Sequence, residues 1–351
     1  MNSWRDNVRK VEPYTPGEQP KEEGVIKLNT NENPYPPSEK IKEAMSEIKN
    51  LRKYPDPAAT KLVEAIASYH GFDKEEVFVG VGSDDVLAVA FMTFFNGKKP
   101  IFFPDITYSF YPVWAELFGI PYEKKAVNDV FEIQKEDYYA ENGGVVFPNP
   151  NAPTGAFLSL EVVEDIIKHN QDVVVIVDEA YIDFGGDTAK ELTRKYDNVL
   201  VVQTYSKSRS LAGLRIGYAI GNKELIKAMN DVKYSYNSYT MNEPSIVLGT
   251  AVLEDEEYFQ ETRNKIIDTR EWFQTEMRKI GFSFADSKAN FIFATHESVP
   301  AKEIFEAAKK AKIYVRYFDQ PRINDYLRIT IGTREEMETL LDFLKEFTAA
   351  K

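Results

Sequence analysis

The stretch "TYSKSRSLAGLRIGY", residues 204–218, packs Lys207, Arg209 and Arg215 among three serines and ends like a buried strand. A lysine and an arginine at the ligand edge of a sheet can hold a phosphate, and a lysine whose pKa is lowered can trap a carbonyl as a nucleophile. A lone basic loop is usually solvated surface. Here it follows "VVVIVDEAYIDF", in which Asp178 comes directly after five β-branched residues, so the carboxylate is expected at the carboxyl end of a strand. Open α/β sheets collect their ligands at that edge, although a strand-end Asp is also a common helix cap.

Two more stretches point to the same edge. "VFVGVGSDDVLAVAFMTFF" reads as a strand, a Gly-Val-Gly turn and a helix with Ser83 as its expected N-cap. The free amides and positive dipole end of such a helix make a phosphate cradle, though most caps hold no ligand. "FPNPNAPTG" follows the strand "GVVF" with a turn stiffened by prolines, whose amides suit a polar ligand or merely shape the turn. Three polar loops at strand ends of one sheet would converge on one crevice.

The elements that must position these groups follow from the rhythm of the chain. Short apolar runs alternate with amphipathic stretches from "EVFVG" to "VVVIVDEA", which predicts an α/β fold: a mostly parallel central sheet with helices on both faces. After Asn242 the pattern changes to a long charged helix and then strands and helices of a smaller α+β unit. The expected division is an N-terminal arm belonging to the small unit (1–35), a large domain (36–242) and a small C-terminal domain (243–351). The Pro-rich segment before Glu39 reads as an extended arm leading into a helix.

Composition narrows the function classes. A chain of 351 residues with 43% hydrophobic residues can bury a large core, and a net charge of -13 with scattered Lys and Arg argues against nucleic acid as a partner. With no cysteine and only His70, His169 and His296, no metal site is expected. The polar N-terminus lacks the apolar core of a signal peptide, and no apolar run approaches the ~18 residues of a membrane span, so a cytoplasmic protein with no membrane partner is expected.

In order along residues 26–333, "IKLNTNENPYPPS", "KYPDP", "VGSDD", "TYSFY", "NPNAPTG", "VDEAYIDF", "TYSKSRSLAGLRIGY" and "YLRITIGT" resemble the fold-type I pyridoxal-phosphate enzymes of the aminotransferase superfamily. Within it, the closest resemblance is to the histidinol-phosphate aminotransferase family. The resemblance implies pyridoxal 5'-phosphate carried covalently on Lys207, which once freed moves the substrate's α-proton. It implies Asp178 at the protonated ring nitrogen, Tyr181 at the 3-oxygen and Tyr108 against the ring face. The cofactor phosphate would rest on the amides near Ser83 and Asp84, on Ser206 and on Arg215.

The resemblance further implies L-histidinol phosphate and 2-oxoglutarate as substrates, with ping-pong kinetics and a place in histidine biosynthesis. Arg328 and Arg316 would grip the substrate phosphate, with Tyr14 and Asn33 beside the substrate. Tyr54 would come from a second subunit, which makes the protein a homodimer with shared active sites. One departure stands out: many relatives have Asn directly before "PTG", where this chain has Ala152, so Asn151 or Tyr181 alone must serve the 3-oxygen. Arg209 has no assigned role. Two other reactions share these motifs, transamination of aromatic amino acids and decarboxylation of a phosphorylated amino acid. A non-catalytic regulator on the same fold is disfavoured because Lys207 is present and no DNA-binding extension precedes Tyr14.

Overall fold

A computed structural model describes residues 3–49 and 51–351 and has a seven-stranded sheet at its centre. The strand order is Val77–Val81, Ile216–Gly221, Val199–Thr204, Val175–Asp178, Val145–Pro148, Ile101–Pro104, Tyr122–Lys125. Only Ile216–Gly221 runs antiparallel to its neighbours. The central strands are buried along their whole length, as expected where helices cover both faces.

The period of two along each strand assigns its side chains to opposite layers. Val146, Ile176, Leu200 and Val202 pack with residues of helices Ser83–Phe94, Phe110–Phe118 and Lys223–Tyr236. Val145, Phe147, Val175, Val177, Val199 and Val201 pack on the other side with Val163, Ile166 and Ile167 of helix Leu160–Lys168. Each such side chain contributes about 1.5–3 kcal/mol on burial, so this double layer fixes the sheet whose edge carries the polar loops.

A second sheet has the order Arg316–Tyr317, Leu327–Thr330, Phe291–His296, Phe282–Ser283, all antiparallel. Helices Glu256–Arg278, Ala301–Lys310 and Arg334–Ala349 supply its core partners. The arm joins this unit: Ile26–Lys27 pairs in parallel with Ile313–Tyr314, and Leu28 lies in the same core. Helix Glu243–Ala251, placed by the sequence in the smaller unit, packs instead on helices Glu39–Met45 and Thr60–His70, burying Ile246, Val247 and Leu248 with Ile41, Leu62 and Ile66. The charged composition that suggested a boundary at Asn242 begins only with the following helix. No helix among the described residues is long and apolar enough to cross a membrane.

Candidate active site

The carboxyl ends of five strands and two strands of the smaller sheet open on a cavity of about 260 Å³. Ser83, Asp84, Tyr108, Asp178, Tyr181, Ser206, Lys207, Arg215, Arg316, Arg328 and Tyr14 all line it. Residues scattered over most of the chain therefore meet at one place, as the strand-end pattern predicted.

Asp178 ends its strand and is almost wholly buried. Tyr111 donates its hydroxyl to Oδ2 at 2.9 Å, and the Ala180 amide reaches Oδ1 at 3.3 Å. Burial pushes the Asp178 carboxyl up to about 6, with Asp84 adding to the rise and the two donors opposing it. The next residue, Glu179, belongs to the opposite face and is satisfied there by Thr188, Ala189 and Gln203; burial raises it to about 7. Adjacent carboxylates thus differ in role because the strand alternates.

Lys207 donates from Nζ to the Thr30 carbonyl at 3.2 Å, lies 5.7 Å from the Tyr181 ring centroid, and pairs with no carboxylate among the described residues. The arm thus supplies a neutral acceptor, while its Glu32 carboxylate acts on the amine from beyond ion-pair distance. Arg215 pairs with Asp84 at 3.0 Å and reaches the Ser206 hydroxyl at 3.4 Å. The helix start lies beside this guanidinium. Gly82, not Ser83, is the N-cap: with φ of 83° and no side chain it admits the Arg215 guanidinium where a Cβ would collide. Ser83 is the first helical residue, so its amide and that of Asp84 have no acceptor in the helix.

Arg316 and Arg328 are cross-strand partners in the antiparallel register, and both enter the cavity. Neither forms an ion pair among the described residues. Arg328 donates to the Asn29 carbonyl at 2.8 Å, but its buried Nε has no partner. Burial lowers the Arg328 pKa, partly offset by Tyr181, and the Arg316 charge lowers it further. Tyr108 gives its hydroxyl to Asp84 at 2.7 Å, and its pKa rises well above the ordinary range through burial and that neighbour. Tyr14 stacks on Phe110, with centroids 4.2 Å apart, and closes one side.

Three sequence expectations change. Ser83 yields the capping position to Gly82. Asn151 is buried, gives its amide to the Ile106 carbonyl and Thr154, accepts from Thr107, and does not line the cavity. Asn33 spends its amide on the Lys207 and Ser208 carbonyls at 3.0 and 3.1 Å, so it clamps the loop and stays off the cavity. Arg209, which the sequence left without a role, is buried over Tyr69 and Phe259, at 4.6 and 4.1 Å from their centroids. Tyr54 is 82% exposed beside Tyr239 and lies outside the cavity of its own chain.

Sequence reasoning missed Tyr111 and Asn31. Tyr111 stands three residues beyond Tyr108, at a helical spacing that could have signalled it. Asn31 donates from Nδ2 to the Tyr181 hydroxyl at 2.9 Å across 150 residues of sequence, and no local pattern announces that contact.

Residues 23–344 match the family model described as aminotransferase class I and II. The chain is 51% identical over 347 residues, 98% of its length and 96% of the relative's, to the histidinol-phosphate aminotransferase of Lactococcus lactis subsp. lactis (strain IL1403). It is 50% identical over 345 residues, 98% of each chain, to that of Clostridium botulinum (strain Okra / Type B1). Among solved structures, a putative histidinol-phosphate aminotransferase from Erwinia carotovora atroseptica superposes with a TM-score of 0.85 at 24% identity, covering 93% of this chain and 96% of that one. The Sinorhizobium meliloti histidinol-phosphate aminotransferase in complex with pyridoxal-5'-phosphate gives 0.84 at 21%, covering 93% and 91%. These two likenesses establish the shared fold.

Proposed function

We propose, for a chain that belongs to the class I and II aminotransferases, that it moves the amino group of L-histidinol phosphate to 2-oxoglutarate, giving imidazole-acetol phosphate and L-glutamate in histidine biosynthesis. The observation that carries the substrate is the cross-strand pair Arg316 and Arg328, two cations without carboxylate partners among the described residues, in the cavity that holds Lys207. A dianionic phosphate answers that charge better than the single carboxylate of an aromatic amino acid.

The cavity fits pyridoxal phosphate. Asp178 is a buried carboxylate with acceptor capacity left and no cation of its own, and the Gly82 turn leaves Arg215, Ser206 and the Ser83 and Asp84 amides together at one end. When bound, the cofactor supplies an electrophilic carbon and a ring that draws electrons from the substrate's α-carbon. Asp178 would hold a proton on the ring nitrogen, and that cation would pull the carboxyl back down from about 6. Tyr181 would donate to the 3-oxygen, and Tyr108 would lie along the ring face. Lys207 would hold the cofactor through Nζ and, as a free amine, take up and hand on the substrate's α-proton. Tyr14 and Phe318 would help keep water from that proton.

The reading includes a cytoplasmic homodimer in which Tyr54 reaches the partner's cofactor phosphate. Initial rates of glutamate formation at varied histidinol phosphate and 2-oxoglutarate test the reaction. Parallel double-reciprocal lines are expected. Turnover of phenylalanine but not histidinol phosphate would move the assignment to the aromatic substrates, and release of carbon dioxide would make the protein a decarboxylase.

A further inference from the structure

We propose that Asn31 is a positioning residue that aims the Tyr181 hydroxyl hydrogen at the cofactor's 3-oxygen. The proposal rests on the pyridoxal-phosphate reading of the cavity. Asn31 is 1% exposed and held on several sides. Its backbone N–H donates to Thr330 Oγ1 at 3.0 Å, Thr330 Oγ1 donates to Asn31 Oδ1 at 3.0 Å, and Asn290 donates to the Asn31 carbonyl at 3.0 Å. The φ of 57° lies in the left-handed region that Asn tolerates better than most residues.

These bonds fix the direction of the amide. The backbone N–H can only donate, so the Thr330 oxygen accepts it and passes its own hydrogen to Oδ1. Nδ2 is left facing Tyr181, where it donates at 2.9 Å. The Tyr181 oxygen is therefore an acceptor toward Asn31, and its own hydrogen points elsewhere. That hydroxyl has no other hydrogen bond among the described residues, and Tyr181 lines the cavity. Ala152 and Pro153 line it as well without a side-chain polar atom, and the Asn151 amide is turned to Ile106 and Thr154. The 3-oxygen thus depends on one hydroxyl, whose orientation Asn31 sets. Thr330 stands two residues from Arg328 on the same strand, so the clamp on Asn31 is part of the element that carries the substrate-phosphate arginine.

The titratable groups facing Tyr181 are Lys207, Tyr108, Tyr111 and Arg328; substitutions at Asn31 leave all four in place. The test is a pH titration of the visible absorbance of the lysine-bound cofactor in pyridoxal-phosphate-loaded protein. A hydrogen bond to the charged 3-oxygen favours the deprotonated lysine nitrogen, so Tyr181→Phe raises the midpoint. Asn31→Ala is expected to raise it in the same direction by roughly half a unit or more. Asn31→Asp, whose carboxylate would take the hydroxyl hydrogen for itself, is expected to bring it close to the Tyr181→Phe value. The double variant Asn31→Ala/Tyr181→Phe should titrate like Tyr181→Phe alone. An unmoved midpoint in Asn31→Ala beside a shifted Tyr181→Phe overturns the proposal, and so do additive shifts in the double variant; either gives Asn31 a packing role only. Absorbance that persists in Lys207→Ala would instead overturn the cofactor reading, and with it this proposal.

Discussion

Asp178 and Lys207 were legible from sequence because strand ends announce themselves: a β-branched run stops and a polar side chain follows at the sheet's ligand edge. What surrounds them was not legible. Tyr111 meets Asp178 across 67 residues and Asn31 meets Tyr181 across 150, and such contacts exist only once the sheet is assembled. The family-like positions Asn33 and Asn151 misled because an amide's neighbours decide whether it faces a ligand or spends itself on carbonyls. The buried Asp178 gives a test with a definite sign. Its carboxyl rises from 3.8 to about 6 on folding, so the cofactor-free protein loses stability as pH climbs through that window. Asp178→Asn should therefore melt higher than the unsubstituted cofactor-free protein above about pH 6, by at most about 3 kcal/mol, with the difference vanishing near pH 4. Thermal melts across pH measure it. The same variant should lose most transaminase activity, since a neutral amide cannot hold the ring cation.

Between the strand Val77–Val81 and the helix Ser83–Phe94, backbone fit matters more than side-chain chemistry. Gly217 lies so near this turn that a Cβ would collide with the backbone of Gly82 and Ser83, and Gly82 makes room for Arg215. Gly82→Ala should weaken pyridoxal-phosphate binding by about tenfold or more in a fluorescence titration, through both the φ of 83° and the displaced guanidinium. The arginine strands support a second expectation. Arg328→Lys keeps the charge but loses the planar fork, so kcat/KM for histidinol phosphate should fall about 10- to 100-fold, with Arg316→Lys milder because only the Arg328 guanidinium is also oriented by the Asn29 carbonyl. The core strands behave differently: Ile176→Ala, at the centre of the sheet, should cost about 2–5 kcal/mol in chemical denaturation. Strand runs were readable because both sheet faces are covered. The helix Glu243–Ala251 was misplaced because its apolar composition suits either unit, and only its contacts with Glu39–Met45 and Thr60–His70 choose.

The two sheets meet across the cavity: the large one brings Lys207, Asp178, Ser206 and Arg215 beside the Gly82 turn, the small one brings Arg316 and Arg328, and Tyr14 and residues 29–32 of the arm line it too. Tyr54 is exposed and lies outside the cavity of its own chain. If Tyr54 serves the partner's site, Tyr54→Ala and Lys207→Ala proteins, each nearly inactive, should regain about a quarter of full activity when mixed and refolded, because half the random dimers are mixed and each holds one intact site. No recovery would place every essential group within one chain. The most direct test of the whole reading takes pyridoxal-phosphate-loaded protein, adds L-histidinol phosphate without an oxo acid, and follows the visible spectrum. Full conversion of the lysine-bound absorbance to the pyridoxamine form is expected, absent in Lys207→Ala and reversed by 2-oxoglutarate. An unchanged spectrum with histidinol phosphate, beside full conversion by phenylalanine, would contradict it.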